Sequence, residues 1–171
     1  MGKQLVYILF LSTILSLGGN QFHPNAIPIV GEWRDLQTGE GPIIPPSAQE
    51  GDPRFISIDE AVAEFGRGKA HFIDARPPEE FECGTIPHSV NVPFDNLPES
   101  GVDKFIDSSL GNMEKTTLIV VFCSGEECDL SLHLARNMQQ YGYTNLMIFF
   151  GGAREWEKFE MPLERRRECA N

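Results

Sequence analysis

The chain has 171 residues, 41% of them hydrophobic, and carries 25 acidic against 14 basic side chains for a formal net charge of -11. That length suits one ordinary domain with an extension and excludes two full domains joined by linkers. The negative balance repels phosphate backbones and anionic lipid surfaces at long range, so nucleic-acid binding is not expected.

In chain order, Met1-Gly-Lys-Gln4 leads into an uncharged apolar run over residues 5–17, followed by Gly18-Gly-Asn20. A basic start, a short hydrophobic stretch and small residues after it make the layout of a secretory signal, shorter than the ~20 residues of a usual bilayer span. Residues 1–19 are expected to form a hydrophobic helix, either a cleaved signal or a membrane anchor inserted through residues 5–17. Ser16 and Gly18 precede a candidate cleavage point, but no Ala-x-Ala is present, and both readings stay open. Either one exports the domain: anchored on the extracytoplasmic side of a membrane, or periplasmic or secreted. Residues 20–53 read as a spacer. Prolines at 24, 28, 42, 45, 46 and 53 and glycines at 31, 39, 41 and 51 punctuate it too often for long helices or central strands. It is expected to hold the domain off the membrane or wrap its surface, with Ile27, Ile29, Val30 and Trp33 resting on the domain itself or on lipid headgroups.

Residues 54–163 show alternating α and β patterns. Ser57 and Glu60 form a capping box, and Ile58, Val62 and Phe65 make one helix face that Gly66 ends. A strand is expected over 71–75, a short helix over 78–83 and a strand over 90–92. Phe105, Ile106 and Leu110 follow at helical spacing. Next come a strand over 118–122, a helix over 130–141 with Leu130, Leu134 and Met138 inward, and a strand over 146–150. Apolar strands alternating with helices predict an α/β fold in three layers, a mainly parallel sheet covered on both faces. Residues 164–171 read as a polar tail whose Arg165, Arg166 and Arg167 are solvated.

In such sheets ligands sit beyond the carboxyl ends of strands, and Cys123 is at one. The apolar run to Phe122 stops at this thiol, the loop continues to Asp129, and the helical pattern begins at Leu130. The backbone amides of Ser124, Gly125, Glu126, Glu127, Cys128 and Asp129, with the positive end of the helix dipole, are expected to cradle an anion and favour the thiolate of Cys123.

Phe72-Ile-Asp-Ala-Arg-Pro-Pro-Glu-Glu-Phe81, Gly84-Thr-Ile-Pro87 and Val90-Asn-Val-Pro93 closely resemble the first half of the rhodanese motif set. Gly142-Tyr-Thr-Asn-Leu-Met-Ile148 and Gly151-Gly-Ala-Arg-Glu-Trp156 resemble its last strand and closing helix. The likeness runs from about residue 55 to 162, with several motifs in the family's order. It implies a rhodanese-like fold and a sulfurtransferase in which Cys123 is catalytic, carrying sulfane sulfur as a persulfide between a sulfur donor and a thiol-type acceptor. It also implies that Asp74, Arg76 and Glu80 support the site by fixing loops through ion pairs and hydrogen bonds. His88 stands where the family commonly has a small residue, and is expected in a surface turn.

The loop departs from the family pattern. Measured to Gly142 it is about two residues longer than usual, with Ser131 at the helix-start serine position, and it lacks the loop's frequent basic residue. Glu126, Glu127 and Asp129 oppose ionisation and repel dianions, each close pair by roughly 1 kcal/mol near a surface, so thiosulfate turnover should be weak. The phosphatase branch of the fold needs an arginine on the phosphate, and none occupies this loop.

Cys128 is a candidate resolving thiol that would convert a persulfide on Cys123 into a disulfide, or an incidental one. Outside the cytosol Cys83, Cys123, Cys128 and Cys169 can pair in three ways, and the sequence leaves the choice open. His133 lies nearby, but no ligand set of zinc-site spacing exists, so neither metal nor cofactor is expected. Two other functions stay open: a non-catalytic rhodanese module binding a partner through the acidic loop, and a Cys123/Cys128 thiol-disulfide element.

Overall fold

The computed structural model describes Gln4, Tyr7, residues 41–125 and residues 128–169. The expectations for the signal or anchor, residues 20–40 of the spacer with Trp33, and the Glu126 and Glu127 amides and carboxylates lie outside them. Among the described residues no helix is long and apolar enough to cross a membrane. The chain divides into two units, Met1–Gln37 and Thr38–Asn171, and the sheet and the site belong to the second.

The elements run β1 (Arg54–Phe55), α1 (Ile58–Arg67), β2 (His71–Asp74), α2 (Pro78–Cys83), β3 (Val90–Asn91), a 3-10 turn (Phe94–Asn96), α3 (Val102–Ser109), β4 (Ile119–Phe122), α4 (Leu130–Gln140), β5 (Leu146–Phe149) and α5 (Gly152–Lys158). The sheet order is β1-β5-β4-β2-β3, and every pair is parallel. The β4 sequence Ile-Val-Val-Phe is buried throughout, as a central strand covered on both faces must be. Its side chains alternate between two cores. Val121 joins Ile73, Leu134, Met138 and Ile148 on the α3/α4 side, while Val120 and Phe122 join Phe72, Phe149 and Trp156 on the α1/α5 side.

Helix α1 starts as the capping box requires, with the Ser57 side chain accepting from the Glu60 N–H at 3.3 Å. It runs through Gly66, however, and ends at Gly68, whose φ of 63° supplies the left-handed residue that a C-cap needs. A helical Gly66 costs only about 1 kcal/mol, which the buried Ile58 and Ala61 outweigh. Strand β1 lacked a sequence signal because it is two residues long and pairs only at the sheet edge.

Two peripheral segments are bound to the domain. Arg136 of α4 grips both carboxylate oxygens of Asp52 (2.7 and 2.8 Å) and the Ser47 carbonyl (2.9 Å), so the described end of the spacer wraps the surface. The hydrogen bond from Arg136 holds the Asp52 carboxyl below the usual carboxylate range. In the C-terminal segment Arg165, Arg166 and Arg167 are exposed, while the main chain is docked on the domain. Glu164 and Thr85 exchange main-chain hydrogen bonds (2.8 and 3.0 Å), the Arg166 N–H donates to the Glu82 carbonyl at 2.8 Å, and the Arg166 guanidinium lies over the Phe81 ring. Of the three pairings open to the cysteines, the structure has Cys83–Cys169 bonded and Cys123 and Cys128 free.

Candidate active site

The parallel register of β2 and β4 sets Asp74 beside Phe122, so Asp74, Arg76 and Cys123 emerge at one edge of the sheet. Asp74 is 0% exposed and Arg76 6%. Arg76 donates through Nε to Asp74 Oδ1 at 2.9 Å and through Nη2 to Asp74 Oδ2 at 2.5 Å, and Nη2 also reaches the Gly84 carbonyl at 2.7 Å. Thr85 Oγ1 donates to Asp74 Oδ2 at 2.8 Å. Burial pulls the Arg76 guanidinium down, but the hydrogen bonds and charge of Asp74, with Glu80 and Cys123, hold it above its ordinary value. Glu80 extends the network outward: its Oε2 lies 3.9 Å from Arg76 Nη1 and accepts from Ser124 Oγ at 3.2 Å. Asp74, Arg76 and Glu80 thus tie the end of β2 to the first residue of the cysteine loop.

The other flank of the loop is fixed by α5. The Ala153 N–H donates to the Cys123 carbonyl at 2.9 Å and the Arg154 N–H to the Ser124 carbonyl at 3.0 Å. This approach is possible because residue 152 is glycine. Its φ is +61°, and a Cβ there would sit 2.3 Å from the Cys123 carbonyl oxygen. Gly152→Ala is therefore expected to destabilise the domain by more than about 2 kcal/mol, combining a left-handed backbone with a clash against main chain. Urea denaturation measures it, and a change under about 0.5 kcal/mol would contradict this packing.

Cys123 itself is 0% exposed. Its Sγ lies 2.7 Å from the Cys128 carbonyl oxygen, to which the thiol donates, and Ser131 Oγ donates to the sulfur at 3.5 Å. Burial, then the neighbouring Cys128 thiol, push the Cys123 thiol strongly up, against the opposing Ser131 hydroxyl and N–H. Cys128 is half-buried, and the hydrogen bond from Cys123 leads in pulling it down to about 6, helped by the Ser124 and Leu130 N–H groups and opposed by burial. One proton is shared by the pair, and in this geometry Cys123 holds it, because a carbonyl oxygen at that distance accepts from a thiol and repels a thiolate.

Two of the six amides expected to cradle the Cys123 anion, those of Ser124 and Cys128, are engaged elsewhere. The Ser124 amide serves the Cys128 sulfur, and the Cys128 amide is spent on the Gly125 carbonyl at 2.9 Å. The 128 carbonyl points inward at Cys123. Of the two thiols, Cys128 is the one whose pKa is lowered. Alkylation by iodoacetamide at pH 7 is thus expected at Cys128 before Cys123, with a rate that rises through pH about 6 as the thiolate forms. Peptide mapping checks it, and prior modification of Cys123 would contradict the arrangement.

Sequence reasoning missed Arg154, whose stem packs against Gly125. It puts a cation beside a loop that has none of its own, and its only signal was its place in the Gly151-Gly-Ala-Arg154 corner. An open groove adjoins it, lined in part by Arg76, Glu80, Arg154, Glu157 and Arg165. His88 is an exposed turn residue at φ 64°, and the His133 ring stacks on Phe94. Among the described residues no group of three or more His, Cys, Asp and Glu side chains is placed to hold a metal ion.

A profile of the rhodanese-like domain matches residues 57–159. The human thiosulfate:glutathione sulfurtransferase is 31% identical over 107 residues, covering 59% of this chain and 90% of that protein. The adenylyltransferase and sulfurtransferase UBA4 of Saccharomyces cerevisiae is 31% identical over 101 residues, covering 58% of this chain but only 21% of the yeast protein. Among solved structures, the human single-domain sulfurtransferase TSTD1 superposes with a TM-score of 0.51 at 26% identity, covering 63% of this chain and 97% of that one. The BH2092 protein of Bacillus halodurans shares the fold, with a TM-score of 0.56 at 18% identity over 67% of this chain and 78% of that one.

Proposed function

Since this chain belongs to the rhodanese-like domain family, we propose that it is a sulfurtransferase that carries sulfane sulfur as a persulfide on Cys123 and passes it to a thiol-type acceptor. The observation that carries this reading is a free cysteine at the carboxyl end of the central strand, facing a second free thiol and the N–H and hydroxyl of Ser131. Sulfur transfer needs a sulfur nucleophile, which Cys123 becomes when its proton passes to the hydrogen-bonded Cys128, together with donors for that anion and a route for the acceptor. In the resting site the S–H of Cys123 donates to the 128 carbonyl. An outer sulfur on Cys123 removes that hydrogen bond and repels the carbonyl, so loading displaces the 128 carbonyl.

The acidic loop favours a persulfide of a small thiol over thiosulfate as donor. Three carboxylates at roughly 1 kcal/mol each oppose a dianion, and Arg154 offsets part of this. Turnover with a small-thiol persulfide as donor and a thiol as acceptor, compared with turnover on thiosulfate, tests the reading. The persulfide is expected to have the larger kcat/KM by about tenfold or more; no transfer from either donor would overturn it. A second reading, a rhodanese module without turnover, draws on the burial of Cys123, and a complete absence of sulfur uptake would select it.

Export is part of the same proposal. The Cys83–Cys169 disulfide suits an oxidising compartment, as does the signal-like pattern of residues 1–19. Sequencing the N-terminus of the mature protein separates a cleaved signal from an anchor, and an intact N-terminus on a protein found only in the cytosol would refute both.

A further inference from the structure

The four cysteines form two sets. Cys83 and Cys169 are bonded to each other far along the chain, and the remaining two thiols touch at the site. Cys128 is held in a manner that an incidental thiol would not need. Its sulfur accepts from the Ser124 and Leu130 N–H groups at the start of α4, and its own carbonyl contacts the Cys123 sulfur. It is half-buried whereas Cys123 is closed off, so of the two cysteines it is the one that solvent reaches.

We propose that Cys128 is a second catalytic residue, the thiol that discharges a persulfide on Cys123 by closing the Cys123–Cys128 disulfide and releasing hydrosulfide. The step rests on Cys123 carrying the sulfur. The Cys128 thiolate attacks Cys123 Sγ; the new bond forms between the two cysteine sulfurs, and the bond from Cys123 to the outer sulfur breaks. The outer sulfur leaves with its proton as HS−. The sulfane sulfur gains two electrons and the cysteine pair loses two, so no further oxidant is needed. A dithiol reductant then returns the pair to the free thiols.

Three features serve this step. The attacking sulfur is ionised near neutral pH, as exchange requires. The two sulfurs are hydrogen-bond neighbours within one loop, so no long chain segment must be ordered to join them. The remaining cysteines are already paired and cannot compete. The chain would then have two outlets for its sulfur: transfer to an external thiol, and release as sulfide when only a dithiol reductant is present.

A single-turnover experiment tests this on the full chain, with excess glutathione persulfide as the donor, removed rapidly, and no thiol added afterwards. The unaltered protein is expected to release about one sulfide per chain and to lose two hydrogens across the peptide holding residues 123 and 128. Cys128→Ser is expected to retain one added sulfur on Cys123 and to release sulfide at least about tenfold more slowly. Cys128→Ala serves as the second variant, with circular dichroism to show that both are folded. If the unaltered protein keeps its persulfide as long as the variants and Cys128 stays a free thiol, the resolving role is overturned while the carrier reading stands. If Cys128→Ser and Cys128→Ala fold but take up no sulfur on Cys123, the carrier reading itself fails, and the resolving step with it.

Discussion

Replacing Cys123 with serine is expected to lower sulfur transfer by more than about a thousandfold, the order seen when a covalent nucleophile is removed. A hydroxyl at this position has no thiolate form at neutral pH and forms no persulfide, and Cys128 in its place lacks the Ser131 N–H and hydroxyl that approach residue 123. The fold should survive. Serine nearly matches cysteine in shape, and its hydroxyl can donate to the same 128 carbonyl that now takes the S–H. A thermal midpoint within a few degrees of the parent, together with lost turnover, is the expected pair of results. Turnover within tenfold of the parent would mean that sulfur travels through another group.

The second large effect is structural. Asp74→Ala removes the one carboxylate among the described residues that the buried Arg76 contacts closely, leaving a 6% exposed guanidinium with Glu80 at 3.9 Å as the nearest described acidic partner. Breaking a buried pair in this way costs about 3–5 kcal/mol, because the cost is that of the stranded charge rather than of the bond alone. For a domain of this size the melting temperature should fall by roughly 10 °C or more. The double variant Asp74→Ala, Arg76→Met removes the stranded charge and is expected to recover part of the loss. A drop under about 1 kcal/mol for the single variant, or no recovery in the double, would show that the pair does not anchor the strand end.

Much of this architecture was legible in the residues. The apolar runs ending at Asp74, Phe122 and Phe149 place three central strands, because strands covered on both faces must be apolar throughout. The Ser57 cap placed α1 at its start, and Gly68 rather than Gly66 set its end, since a left-handed C-cap is a property of the chain reversal that follows. Cys123 was identifiable as a strand-end thiol, but which sulfur holds the proton was not. That depends on the Cys128 amide pairing with the Gly125 carbonyl while its own carbonyl faces Cys123, a geometry no spacing rule encodes. The C-terminal arginines are exposed, as their charge implies, but the docking of their main chain had no sequence signal. It comes from main-chain pairing with Thr85 and Glu82 and from a disulfide whose partners lie 86 residues apart.

The claim on which the rest depends is that sulfur becomes bonded to Cys123 and displaces the carbonyl now pressed against it. A crystal structure of Cys128→Ser soaked with a persulfide donor reads this directly. The expected result is one additional sulfur on Cys123 beside the Ser131 N–H, with the residue 128 carbonyl turned away from its present 2.7 Å contact. A bare Cys123 with the residue 128 carbonyl still in contact with it, in crystals where the donor has been consumed, would contradict it.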